Sequence, residues 1–587
     1  MTHSESPPPR AVRKERLWTW MLVPGTAWMS VFFVSALLLL IALSFGTTDA
    51  LGNPRFGSTL DNVIGVFTPT YLRVIIRSLM YAVAASVICL MIAYPVAYAI
   101  ARHGGRYKNA LVALLVVPFF ANYLVRMYGW QTLLSDESML MTWLRHLGVS
   151  ASFHILDTGA AVIGGLVYGY VVFMILPIYA SLERMDGALI EAGRDLYGSS
   201  LRTFFTVTVP ASRAGAYAGL ALVFLPAMGD FISSQLLGGP DNLMVGNLIQ
   251  EKFFAGQNWP LGAALTMALM VLLLICMFAY LRQTARDAKE GTPMTTLVAA
   301  ERELAAPQAP PAGRRKGSGM NRKPRFAIAV TVAFFVLLYL PIFAVVLFSF
   351  NTKKSLTVFE GWSLRWYQAF FNDSELTKSL QTSLVVAAAA MVGSVVIGVL
   401  LAFGLVRARS RLGGAANVIM LIPLITPEIV TGVASLMLFK GVGLQPSLTT
   451  LMLAQTTFSI SYVTVILRAR VAELNPEVEE AAMDLGANRF QALRLVTLPV
   501  MWPAIMSAAI LIFTIVFDDF VLAFFTSGVD PQPLSVRIYS AIRFGIQPSI
   551  NAVGTLMLVG SLVLIAIALL IPRLFGRRGN SFDLFGG

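Results

Sequence analysis

Apolar runs long enough to cross a bilayer recur along this 587-residue chain. They lie at 20–45, 78–101, 111–134, 160–182, 211–237 and 261–281, then at 326–350, 380–406, 418–440, 448–467, 502–525 and 552–574. A helix needs about 20 apolar residues to span the hydrocarbon core. The pattern therefore predicts an all-α polytopic membrane protein of twelve spans. Six spans precede and six follow a polar stretch whose Ala, Pro, Gly and Arg content reads as a flexible or partly extended tether. The expected division is a tail at 1–17, a first half at 18–283, a linker at 284–324, a second half at 325–576 and a tail at 577–587.

The halves repeat each other. Ser78, Leu79 and Ala82 match Ser383, Leu384 and Ala387 at an offset of 305, as do Ala97 with Ala402, Arg102 with Arg407 and Pro118 with Pro423. After a shortened loop the offset falls to 289, which pairs Glu191 with Glu480 and carries on through Asp230 and Asp519. Six spans per half is an even number, so both halves insert with the same orientation. That makes a parallel repeat about an axis along the membrane normal.

Composition agrees. The chain is 57% hydrophobic and 13% charged, where soluble domains carry about 25% charged residues. A net charge of +13 could suggest nucleic acid. Its distribution excludes that partner, because most Lys and Arg fall in the tails, the linker and the loops of one side. This positive-inside bias predicts both termini and the linker in the cytoplasm. Topology and lipid head-group attraction account for the linker charge. The first apolar run is too long for a signal-peptide core and reads as an uncleaved span. Cys89 and Cys276 lie inside apolar runs and read as small hydrophobes, with no disulfide framework or metal site.

Two polar islands interrupt the apolar pattern, one between spans four and five of each half. Glu191, Ala192, Gly193, Asp195 and Gly198 lead to Pro210; Glu480, Ala481, Ala482, Asp484 and Gly486 lead to Pro499. Asn475 as N-cap, Pro476 at the first helical position and acids in the first turn predict a short helix. Gly486 is placed to end it. Asp186 holds the Asn475 position in the first copy. A second short helix is expected after each turn. The acids stand four residues apart in both copies, which mildly destabilises a helix. A cost repeated twice on the inner side suggests two equivalent docking points for a basic partner.

Glu480, Ala481, Ala482, the Gly six residues on and the closing Leu-Pro resemble the EAA loop of ABC-importer permeases. The resemblance implies a type I ABC-importer permease in a bacterial cytoplasmic (inner) membrane. Its loop helices would dock two copies of an ATPase that holds ATP and Mg, and an extracytoplasmic solute-binding protein would deliver substrate. It assigns docking to Glu480, Ala481, Ala482, Asp484 and Gly486, and to Glu191, Ala192, Asp195 and Gly198. The first copy departs from the pattern at Gly193 and at Tyr197, so its turn is expected one residue later. Phe224, Pro226, Gly229, Asp230, Trp259 and Pro260 are similar to the first permease of spermidine/putrescine importers. Phe517, Asp518, Asp519, Tyr539 and Asn551 are similar to the second. Nearly the whole chain thus looks like two polyamine permeases joined.

Asp230, Glu428, Asp518 and Asp519 fall within or at the ends of spans, where ionisable groups usually face a cavity or a partner. Asp230 follows Pro210 by 20 residues, roughly 30 Å along a continuous helix, and Asp519 is its repeat equivalent. Paired acids about a central axis suit a cationic substrate; an acid that bonds nearby backbone is the structural alternative. Tyr128 and Trp130 could hold an alkyl-ammonium by cation–π contact or serve as interfacial belt residues. Arg126 would repel a polycation unless neutralised, and Glu428 is the partner expected. No G-x-x-x-x-G-K-[ST] sequence, nucleophile elbow or metal-ligand cluster occurs, so no enzyme and no cofactor is expected on this chain. The alternatives are an importer of another solute (ferric ion, thiamine, a phosphonate or an opine-like compound) and an ion-coupled secondary transporter. The latter leaves the paired loops unexplained.

Overall fold

The computed structural model describes residues 16–49, 53–148, 150, 153–289, 325–355, 358–408, 410–544 and 549–575. The linker and both tails lie almost wholly outside them. Among the described residues eight helices are long and apolar enough to cross a membrane, or eleven if each of three bent pairs counts as one span. In the first half spans one to six are Leu17–Ser44, Pro69–His103, the bent pair Gly105–Phe119 and Tyr123–His146, Gly159–Arg184, the bent pair Ser200–Ala211 and Arg213–Gly229, and Trp259–Tyr280. In the second half spans seven to eleven are Arg325–Ser349, Ser374–Arg407, the bent pair Arg411–Ile425 and Glu428–Gly441, Leu448–Glu473 and Arg489–Asp518. The helix Ser549–Phe575 lies where the sequence places span twelve. A two-stranded pair, Thr47–Thr48 with Pro54–Arg55, follows span one.

Spans three and nine bend by 85° and 113°. The breaks fall at repeat-equivalent places, just after Pro118 and Pro423. The second segments restart on Asn122, whose side chain accepts from the Leu124 amide, and on Pro427. A Pro removes a backbone donor and clashes with the preceding turn, and buried protein surroundings make a break tolerable at membrane depth. Spans five and eleven also differ from expectation. They end at Gly229 and Asp518 instead of running on to 237 and 525, and short helices Ile232–Leu237 and Val521–Thr526 follow. Span five is bent a further 70° at Ser212, so the path from Pro210 to Asp230 is not one straight helix.

The first span of each half packs on the other half. In span one Trp18 stacks on Phe403, Trp28 donates to Thr457 Oγ1 at 3.0 Å, and Gly25 lies where a Cβ would meet Leu401. In span seven Tyr339 donates to the Leu114 carbonyl at 2.7 Å, and Tyr168 of span four reaches the Leu338 carbonyl at 3.1 Å. Outward faces such as Val31, Leu38, Met91, Val336 and Val392 are exposed. Lipid rather than protein satisfies a surface of that kind.

A pseudo-two-fold axis runs where equivalent residues meet. Phe231 and Phe520 have ring centroids 5.9 Å apart, and Gln250 donates to Tyr539 Oη at 3.2 Å. Both pairs are separated by 289 positions. Off the axis the same bonds recur: the Ser78 hydroxyl accepts from Val245 N, and the Ser383 hydroxyl accepts from Leu534 N, each at 2.8 Å.

Candidate functional site

The first polar loop opens with the helix Gly187–Tyr197, capped by Asp186, whose side chain accepts from the Ala188 amide at 3.0 Å. The second opens with Pro476–Asp484, capped by Asn475 accepting from Glu477 N at 3.1 Å. The turn residues have positive φ, 64° at Gly198 and 95° at Gly486, a region that favours Gly. Gly198 corresponds to Ala487, so the first turn falls one residue late, as the sequence indicates. The second short helix is separate only in part. Ser200–Thr203 and Arg489–Ala492 each run through a five-residue π-helical stretch into the next span.

Glu191, Ala192 and Asp195, and Glu480, Ala481 and Asp484, all stand exposed, while Ala482 is half-buried. Three apolar residues that the sequence reading passed over join them. Leu189, Leu196 and Leu201 are exposed in the first loop, and their equivalents Val478, Leu485 and Phe490 are exposed in the second. Leu485 has 91% of its surface open. Their spacing matches across the repeat, a signal that was present in the sequence but is masked in a chain so rich in apolar residues.

Gly193, the departure in the first motif, has a packing cause. A Cβ there would sit 2.8 Å from Thr203 Cγ2 and 2.9 Å from Val207 Cγ2. In the second loop Ala482 takes the Gly193 position and Ala492 takes that of Thr203, so bulk moves from one helix to the other. We expect Gly193→Ala to gain helix propensity yet lose more to overpacking, about 1–3 kcal/mol. Adding Thr203→Ala should recover roughly half of the loss. Thermal unfolding of the two purified variants in detergent checks this coupling.

The intramembrane acids gather near the axis. Asp230 and Asp519 follow the ends of spans five and eleven with nearly the same backbone, φ −68° and −64°. Each accepts from a backbone amide of the short helix beyond, Ser233 N at 2.8 Å and Ala523 N at 3.0 Å. Their shared task is therefore helix capping. Beyond that they differ. Asp230 also accepts from the hydroxyls of Tyr123, Tyr170 and Ser233 and is 6% exposed. Asp519 has Gln455 Nε2 at 2.6 Å and retains open surface. Glu428 heads the second segment of span nine, within electrostatic range of both Asp519 and Asp230. Its side chain keeps open surface. Tyr170 and Tyr462 lie within electrostatic range of it.

Asp230 anchors two tyrosine rings and presents little surface of its own, because its oxygens are taken by four donors. Arg126 is buried over the rings of Phe119, Tyr123 and Tyr168, 4.6–5.7 Å from their centroids. Among the described residues no ion pair joins it to Glu428, and Asp518 lies within its electrostatic range. The break after Phe120 turns Arg126 toward the end of span eleven, where Asn122 donates to the Asp518 carbonyl at 2.9 Å. Tyr128 is 1% exposed and belongs to the core, and Trp130 packs edge-on against Tyr168 at 5.6 Å.

The two-fold arrangement, the matched loops and the bent spans describe a permease with two equivalent units in one chain. Residues 91–287 and 394–578 each match the family described as binding-protein-dependent transport system inner membrane component. The chain belongs to that family and is a permease of the ABC-importer type. It is 40% identical over 257 residues to the spermidine/putrescine transport system permease protein PotB of Haemophilus influenzae, covering 90% of that protein and 44% of this chain. It is 37% identical over 238 residues to the putrescine transport system permease protein PotI of Escherichia coli K12, covering 85% of that protein and 39% of this chain. Each relative thus corresponds to less than half of this chain. Among solved structures, a bacterial ABC transporter for alginate import aligns with 96% of its chain and 43% of this one, at 14% identity and a TM-score of 0.36.

Proposed function

We propose that this chain is the complete membrane path of a polyamine importer, with both permease units supplied by one polypeptide. The observation that carries the substrate class is the pair of acids Glu428 and Asp519, which both keep open surface and lie within electrostatic range of each other and of Tyr462. Carboxylates lower the cost of desolvating an ammonium, and aromatic faces add cation–π attraction. The polyamine names of the two relatives support the same reading. Each exposed loop docks one ATPase copy through Glu191, Ala192, Asp195 and Gly198, or through Glu480, Ala481, Ala482, Asp484 and Gly486. Leu196 and Leu485, exposed beside the acids, add apolar contact to that docking. A solute-binding protein delivers substrate at the opposite face. The loops, both termini and the linker lie in the cytoplasm, in keeping with the Lys and Arg bias.

Uptake by proteoliposomes holding this chain, its ATPase and its binding protein tests the substrate class. ATP-dependent uptake of putrescine or spermidine is expected. Uptake of an anionic solute and of no polyamine would overturn it. Native mass spectrometry of the complex should give one copy of this chain with two ATPase copies. Two copies of this chain would defeat the single-polypeptide reading.

A further inference from the structure

The residue before the exposed Glu480 turns the other way. Glu479 is half-buried beneath its helix and forms an ion pair with Arg407 at the end of span eight. It also accepts from the hydroxyl of Thr497 at the start of span eleven. Arg407 in turn lies over the rings of Trp18 and Phe403, at 4.8 and 5.5 Å from their centroids. One carboxylate therefore ties the second loop helix to span eight and span eleven, and through Arg407 to the start of span one.

The first half holds the same cradle without the acid. Arg102 stands in the place of Arg407 and Thr208 in that of Thr497, but Ile190 replaces Glu479. Arg102 donates instead to the Met185 carbonyl at 2.6 Å, and its buried Nε has no partner among the described residues. Arg194 of the first loop helix adds another positive charge close to His103, next to Arg102. The buried Ile190 stands where the second loop has its ion-paired acid, and the Arg102 bond to the Met185 carbonyl holds the head of that helix.

We infer that Glu479 is a positioning residue for energy coupling, and that the second loop is the principal lever of the transporter. The ion pair, largely shielded from water, holds its geometry where an apolar contact can slide: a charge-assisted bond between partly desolvated groups is directional and strong. Movement imposed on the second loop helix is passed to spans eight and eleven together. Movement of the first loop helix is passed without an ion pair at the equivalent position, where Ile190 stands. This inference rests on the proposed docking role of the loops.

The test replaces Glu479 by Ile, the residue the first half uses, in the full chain assembled with its ATPase. Membrane abundance and ATPase co-purification are measured beside uptake and ATP hydrolysis. The expected result is an intact complex whose uptake per ATP hydrolysed falls on the order of tenfold, the scale of losing one charge-assisted bond. Ile190→Glu places an acid against Arg102 and should restore part of that ratio when combined with Glu479→Ile. An unchanged ratio in Glu479→Ile overturns the inference and leaves the docking proposal standing. Loss of ATPase co-purification would show Glu479 to be part of the docking face itself, which also overturns it. Should Glu479→Ile fail to reach the membrane, Glu479→Gln keeps the size and the Thr497 bond while removing the charge. The same fall in ratio is then expected, and an unchanged ratio is again the refuting result.

Discussion

Glu480→Lys is expected to abolish ATP-driven uptake while the chain still accumulates in the membrane. Glu480 is fully at the surface of its helix, so its replacement costs the fold little, within about 0.5 kcal/mol. On the proposed docking role, the cost falls on the ATPase contact. An acid that meets a basic partner surface becomes a like charge, and like-charge juxtaposition at an interface costs several kcal/mol, enough to lower affinity by roughly two orders of magnitude or more. Glu191→Lys is expected to do less, since its helix turns one residue later and its seat lacks the Glu479 ion pair. The measurement is co-purification of the ATPase with each variant, followed by uptake. Recovery of a fully active complex from the Glu191→Lys, Glu480→Lys double variant would remove both residues from the docking face.

The second large effect belongs to Asp519. Asp519→Asn keeps a side-chain oxygen for the Ala523 amide but removes the charge of a half-buried carboxylate. Polyamine uptake is expected to fall about 10- to 100-fold, the scale of one charge-assisted contact, with basal ATP hydrolysis much less affected. Asp230→Asn should behave differently, because Asp230 serves four donors and little solvent. Its main consequence is lower membrane abundance. The two variants, compared for uptake, hydrolysis and abundance, separate a residue that lines the path from one that holds the wall. Normal polyamine uptake in Asp519→Asn would take that residue out of the path.

How much of this was legible in the sequence depends on which interaction set each feature. The spans were legible because lipid imposes a length and a composition on every helix, whatever its neighbours. The loop helices were legible because caps and glycines act within a few residues: Asn475, Asp186, Gly198 and Gly486 each stand where local rules put them. The end of span five was not. Its apolar run continues through Phe231, and hydropathy does not distinguish one helix from two joined at a capping Asp. The angle at 121–122 was hidden for a related reason, since Pro118 marks a weak point without fixing a direction. The exchange of spans one and seven left no trace, because a lipid-facing and a protein-facing apolar residue look alike in a string of letters. The contrast between Asp230 and Asp519 depends on Tyr123, Tyr170 and Gln455, which come from distant spans.

The axis contacts bear on assembly. Gln250 meets Tyr539 across the two-fold, so the surfaces that pair are related without being identical. A dimer of two first halves would set Gln250 against Gln250, and a dimer of two second halves would set Tyr539 against Tyr539; neither reproduces the bond seen here. Permease units made as separate chains must find the correct partner by collision and reject a copy of themselves. Joined in one polypeptide, each unit meets its proper mate at the high effective concentration that a tether provides. Equal numbers of the two are then guaranteed at synthesis, and selection on the axis residues against self-pairing is relaxed.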